Sequence, residues 1–197
     1  RRMAVVKPFR AVRYDETSAG PLDSLVAPPY DVISADERER LRARSPHNVV
    51  YLTLPDSEEQ AARALASWSE SGVLVRDEVP TIWALAQDFV GPDGVARRRE
   101  GFVASLRAEP YERGVVLPHE RTHEGPKEER LRLLRATRTQ LEPIFLLYDG
   151  PAPVRPPERA PDLQAEGTRL WRVQGAADDV SAALAETQLL IADGHNR

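Results

Sequence analysis

Proline decides more about this chain than any other residue. Pro28 and Pro29 stand side by side, and five prolines fall within the eleven residues Pro151–Pro161. Each locks its own φ, removes a backbone donor and biases the preceding residue away from helix. Val26–Ile33 (VAPPYDVI) is therefore read as a rigid extended segment, and 151–162 as a stiff loop or linker. That boundary separates an N-terminal α+β region, 1–150, from a strand–helix–strand unit, 163–197.

Local signals fill in the rest. Ser34-Ala35-Asp36-Glu37 is a capping box opening a helix to about Arg44, and Ser57-Glu58-Glu59-Gln60 is a second. The helix after the second box carries Ala61, Leu65 and Trp68 on one face and stops at Gly72. Asn48–Leu54 (NVVYLTL) is rich in β-branched residues and predicts a strand. Thr81–Val90 and Val95–Leu106 flank Gly91-Pro92-Asp93-Gly94, which predicts a hairpin. Gly125–Thr139 predicts a helix with Leu131, Leu134 and Arg138 at helical spacing. Pro143–Tyr148 (PIFLLY) predicts a buried strand. Thr168–Val173 and Gln188–Ala192 read as strands around a helix at about Ala177–Thr187. The fold class expected is α+β or mixed α/β.

Composition removes several functions. The 197 residues are 41% hydrophobic and 29% charged, ordinary for a globular chain. There is no cysteine, so thiolate nucleophiles, thiolate metal sites and disulfides are excluded, which fits a cytoplasmic location. Residues 1–12 lack an apolar core of signal-peptide length, and no stretch approaches the roughly 18 apolar residues that span a bilayer. The net charge of −4 argues against nucleic acid as a partner. The cluster Arg97–Arg99 is read as a solvated face.

Three motifs could carry chemistry. Leu189-Leu190-Ile191-Ala192 runs into Asp193-Gly194-His195-Asn196-Arg197, a glycine turn at a strand end with His195 and Arg197 beside it. Backbone N–H groups and those side chains could cradle an anion, with Asp193 near a hydroxyl or metal; a plain polar turn is the competing reading. His119-Glu120-Arg121-Thr122-His123 has the HExxH spelling, which binds zinc only on a helix that puts both histidines on one face. Pro118 and Gly125-Pro126 leave room for little more than one turn, so no metal ligand is assigned. The segment from His119 to Lys127 is read instead as a polar loop entering a helix N-terminus that could face an anion. Asp31, on the proline-stiffened segment, could act as a general base or satisfy local N–H groups. Trp68, Trp83 and Trp171 are read as core, and Glu58, Glu59 and Glu70 as solvation.

The order of these blocks carries a resemblance. Lys7-Pro8-Phe9-Arg10-Ala11, Val26–Ser34, Asn48-Val49-Val50, Gly114–Thr122, Gly125-Pro126-Lys127, Leu133–Thr137, Pro143–Tyr148 and Ile191–His195 together resemble the N-terminal half of the domain of unknown function 1015 family. Members usually read Asp-Gly-His-His-Arg at the last motif, where this chain has Asn196. They usually continue for about as many residues again, so the chain is expected to be truncated after the loop. The loop is also similar to the phosphate loop of the ParB and sulfiredoxin superfamily, including free serine kinases. That implies a ParB/sulfiredoxin-like sheet with flanking helices and a nucleotide partner, ATP or ADP with Mg2+. By the resemblance Gly194, His195, Asn196 and Arg197 contact phosphate, Asp193 lies near the substrate hydroxyl or metal, and Asp31 falls where those kinases place a catalytic carboxylate. His119, Glu120, Lys127 and Arg130 match the family pattern; Glu120 is the alternative proton acceptor, and the three cationic residues are expected around the nucleotide. The function expected is phosphoryl transfer to a small hydroxyl compound such as a free amino acid. The alternatives are a non-catalytic nucleotide switch or interaction module and an inactive fragment. A homo-oligomer is compatible with either.

Overall fold

The structure, a computed structural model, describes residues 4–120 and 124–196. In chain order the elements are β1 (Val6–Lys7), β2 (Val12–Tyr14), α1 (Glu16–Ala19), α2 (Leu22–Leu25), α3 (Ala35–Arg44), α4 (Val50–Thr53) and α5 (Glu58–Glu70). β3 (Leu74–Arg76), β4 (Ile82–Val90), β5 (Ala96–Val103), β6 (Ser105–Leu106), β7 (Val116–Leu117), α6 (Glu124–Thr137) and β8 (Phe145–Leu147) follow. β9 (Leu163–Ala165), β10 (Thr168–Val173), α7 (Ala177–Leu184) and β11 (Leu189–Asp193) complete the chain. Helices and sheets are mixed, as an α+β class requires.

These elements form two units. The first contains residues 4–11, Asp77–His119 and Phe145–Asp193. Its main sheet has the order β5-β4-β10-β9, all antiparallel. β4 and β5 are the expected hairpin, closed by Gly94 at φ +76°, a conformation glycine adopts without steric cost. Ile82, Ala84 and Ala86 alternate onto the core face of β4 and meet Trp171 of β10. The indole N–H of Trp171 donates to the Arg159 carbonyl at 2.9 Å, and Val154 is buried in the same core. The proline-rich segment is thus packed onto the sheet. A second sheet, β7-β11-β8, pairs β7 with β11 in parallel, Leu189 opposite Val116 and Leu190 opposite Leu117.

The second unit contains Val12–Arg76, Glu120, residues 124–144 and residues 194–196. Both serines cap their helices: Ser34 Oγ accepts from the Glu37 N–H and Ser57 Oγ from the Gln60 N–H, each at 3.2 Å. α5 buries Ala61 and Trp68 and packs on α6. Arg132 of α6 reaches Glu58 of α5 at 2.9 Å and holds that carboxyl below its usual range. The Tyr14 hydroxyl donates to the His47 carbonyl at 2.7 Å, and Trp68 lies against both rings.

Four sequence expectations are corrected. Asn48–Leu54 is not a strand; Val50–Thr53 is a helical turn. Asn48, fully buried, accepts the Val50 N–H on Oδ1 and donates through Nδ2 to the carbonyls of Ser24 and Val26. A side chain bonded to a backbone amide two residues on starts a turn and overrides the β-branched preference. On α6 the buried positions are Arg130, Leu133 and Thr137, while Leu131 and Leu134 are each 40% exposed. The helix is rotated from its apolar reading because the Arg130 guanidinium finds partners inside through Nη1 and Nη2. β8 is a strand, yet Phe145 and Leu147 are exposed, since it lies at the sheet edge and only Leu146 faces the core. The 26–33 segment is extended only to Pro29 and then closes into a 3-10 turn, Tyr30–Val32.

Two stability outcomes follow from the second unit. Asn48→Ala strands two carbonyls and one amide in a dry interior, and urea denaturation should show a loss of about 3 kcal/mol. Burial pushes the Tyr14 phenol well above its ordinary value. The folded state therefore favours the neutral phenol, so stability is intact below the unfolded value of about 10 and falls as pH rises above it. Urea midpoints at pH 8 and 11 should fall further apart in the wild type than in Tyr14→Phe.

Candidate functional site

The site is approached from two strand ends. In the first unit β7 and β11 run in parallel, so both leave their sheet at the same edge, β7 toward Pro118-His119 and β11 through Ala192 to Asp193. Such carboxyl ends, where backbone groups stop pairing with neighbours, are the usual location of ligand sites in α/β sheets. The His119 ring is tied to this edge: Nδ1 lies 2.6 Å from the Ile191 carbonyl oxygen. A carbonyl only accepts, so the Nδ1 facing it carries a proton. Asp193 closes the strand after a bulge between Ile191 and Asp193 and is exposed.

In the second unit the residues that continue these two strands meet. His195 Nδ1 is 3.5 Å from Glu120 Oε1. The two side chains differ sharply in environment, His195 being 2% exposed and Glu120 56%. Gly194 has φ +89°, the left-handed region in which a side chain would be strained, and this turns the chain from the strand to His195. Asn196 follows with its Oδ1 buried and without a hydrogen-bond partner among the described residues.

The other expected residues of this unit are Asp31, Lys127 and Arg130. Asp31 is exposed on the Tyr30–Val32 turn. That turn is gripped from two sides: the Arg130 guanidinium stacks over the Tyr30 ring at 3.8 Å, and the Tyr30 N–H donates to Glu142 Oε1 at 3.2 Å. Arg130 itself is buried, with Nη1 donating to the Thr53 carbonyl at 2.7 Å and Nη2 to Glu129 at 2.8 Å. Lys127 is exposed on α6. Arg197 and His123 lie outside the described residues, so the HExxH spelling is described only at His119 and Glu120.

The structure thus joins Glu120 to His195 and His119 to the β11 backbone, and it sets Asp31 on a turn braced by α6. The sequence reading missed Glu142 and the Arg130–Tyr30 stack. The spacing of Arg130, Leu133 and Thr137 at i, i+3 and i+7 was the available signal for a buried arginine, masked by the leucines beside it. A carboxylate and an imidazole at this distance can move a proton, orient a hydroxyl or ligate a cation.

Fold and site define a mixed α+β protein whose two polar motifs sit at the carboxyl ends of a parallel strand pair. The chain belongs to the family described as protein of unknown function (DUF1015), which matches residues 6–197. No curated protein and no solved structure matches it.

Arg130→Met removes the donor to Thr53 and the stack on Tyr30. A loss of about 2–4 kcal/mol is expected in urea denaturation, with Arg130→Lys recovering part of it.

Proposed function

We propose that the chain is a nucleotide-dependent phosphotransferase acting on a small hydroxyl compound, such as a free amino acid, in the cytoplasm. The observation that supports this most is the convergence at the Asp-Gly-His turn, where Glu120 and His195 lie 3.5 Å apart although 75 positions separate them in the chain. The similarity of this turn to the phosphate loop of the ParB and sulfiredoxin superfamily supplies the class of ligand.

In this reading ATP or ADP with Mg2+ is the phosphoryl donor system. The glycine turn, His195, Asn196 and Arg197 receive the phosphates, with His119 and Lys127 contributing further donors. The substrate oxygen forms a bond to the terminal phosphorus while the bridging oxygen–phosphorus bond breaks and the shortened nucleotide leaves. The hydroxyl proton passes to Asp31 or Glu120, and Asp193 orients the hydroxyl. Positioning and charge neutralisation carry most of such a transfer, so this donor set is chemically sufficient. Arg130 braces the turn that carries Asp31.

One observation favours a non-catalytic nucleotide switch: Asn196 replaces the second histidine of the family motif, keeping a donor but losing a group that can be protonated. Calorimetry with ATP, ADP and CTP, followed by turnover against a panel of hydroxy amino acids, separates the readings. The phosphotransferase predicts binding and phosphorylated product, with Glu120→Gln or Asp31→Asn lowering kcat at least about 100-fold. Binding without product supports the switch, and the absence of both overturns the nucleotide reading.

A further inference from the structure

We propose that Glu120 and His195 hold a divalent cation that prefers mixed nitrogen and oxygen ligands, of the Zn2+ class rather than Mg2+. The inference concerns a resident metal and stands or falls without the phosphotransferase reading.

The separation of the two ligand atoms is the first reason. At 3.5 Å, His195 Nδ1 and Glu120 Oε1 are further apart than a direct N–H···O bond of about 2.7–3.2 Å. Zinc bonds of about 2.0–2.2 Å to nitrogen and oxygen place neighbouring ligands of a tetrahedron about 3.3–3.5 Å apart. Octahedral Mg2+ at about 2.0–2.1 Å would bring them to about 2.9 Å. The observed distance is that of a tetrahedral edge.

Donor chemistry points the same way. Mg2+ selects oxygen and keeps most of its water, whereas imidazole suits Zn2+ and its neighbours in the first transition row. Both residues are among the described side chains able to ligate a metal. The contrast in exposure suits a working site: the His195 ring is shielded, and the Glu120 carboxylate can be reached from solvent.

An independent observation comes from the next residue. Asn196 Oδ1 is a buried acceptor with no partner among the described residues. Buried polar atoms are nearly always satisfied, and an amide oxygen can be satisfied by a cation as well as by a donor. Asn196 follows His195 directly in the chain, so its amide oxygen is the further donor that the experiment tests.

The full chain, freed of metal and without nucleotide, should be titrated with Zn2+, Mn2+ and Mg2+ by calorimetry. One equivalent of Zn2+ is expected, with Mg2+ at least about 100-fold weaker. Glu120→Gln changes an exposed side chain, keeps its size, and should weaken Zn2+ at least about tenfold with an unchanged circular dichroism spectrum. Asn196→Ala should weaken it as well. Failure to bind one equivalent of Zn2+, or undiminished affinity in Glu120→Gln, overturns the proposal and leaves the contact as an ion pair only. Binding of Zn2+ without any phosphorylated product leaves the metal site standing and removes the phosphotransferase reading alone.

Discussion

The candidate site depends on the parallel pairing of two short strands, β7 and β11. Parallel neighbours cannot be joined by a tight turn, so the chain needs a long crossover between them. Here that crossover contains α6, β8, β9, β10 and α7. The pairing itself is brief, Leu189 on Val116 and Leu190 on Leu117, with the Leu189 N–H also donating to the Val115 carbonyl at 2.9 Å. So short a ladder is marginal alone. Its anchor is hydrophobic: Val115, Val116, Leu189 and Ile191 are all buried in the core that Trp171 and Val180 share. Core burial therefore holds the backbone that presents His119 and Asp193.

The second unit relies on buried polar groups to a greater degree than its apolar content would suggest. Asn48 ties the chain ahead of the two prolines to the first turn of α4. Arg130 and Glu142 fasten the turn after those prolines to α6 and the segment beyond it. The proline pair is stiff but has no N–H with which to fix itself to anything. Side-chain amide, guanidinium and carboxylate supply the missing fasteners. A buried network of this kind specifies one arrangement, because any alternative leaves polar atoms unsatisfied in a low dielectric.

At the Asp-Gly-His turn the same physics gives a division of labour. The His195 ring is shielded by its surroundings, whereas the Glu120 side chain is exposed. The His119 ring is oriented by a backbone carbonyl of β11.

Much of the local structure was legible in the residues. Both serine N-caps and the Gly91–Gly94 hairpin depend on interactions within a few positions, and they form where the spelling places them; the strand Thr168–Val173 also forms where it was read, although it pairs with the distant β4. The motifs of the site were legible as spellings too: His119-Glu120 and Asp193-Gly194-His195 stand out as polar clusters beside apolar runs. Three features depended on distant partners. Asn48 turns its β-branched neighbours into a helix only because Ser24 and Val26 offer carbonyls to its amide. α6 buries Arg130 and exposes Leu131 and Leu134 because Thr53 and Tyr30 lie on that side. Glu120 reaches His195 only through the folded chain. The sequence by itself determined the caps, the turns and the kinds of donor available, since these are short-range and sterically enforced. Tertiary structure alone decided which faces are buried and which donors meet, because burial and hydrogen-bond satisfaction are settled by residues far away along the chain.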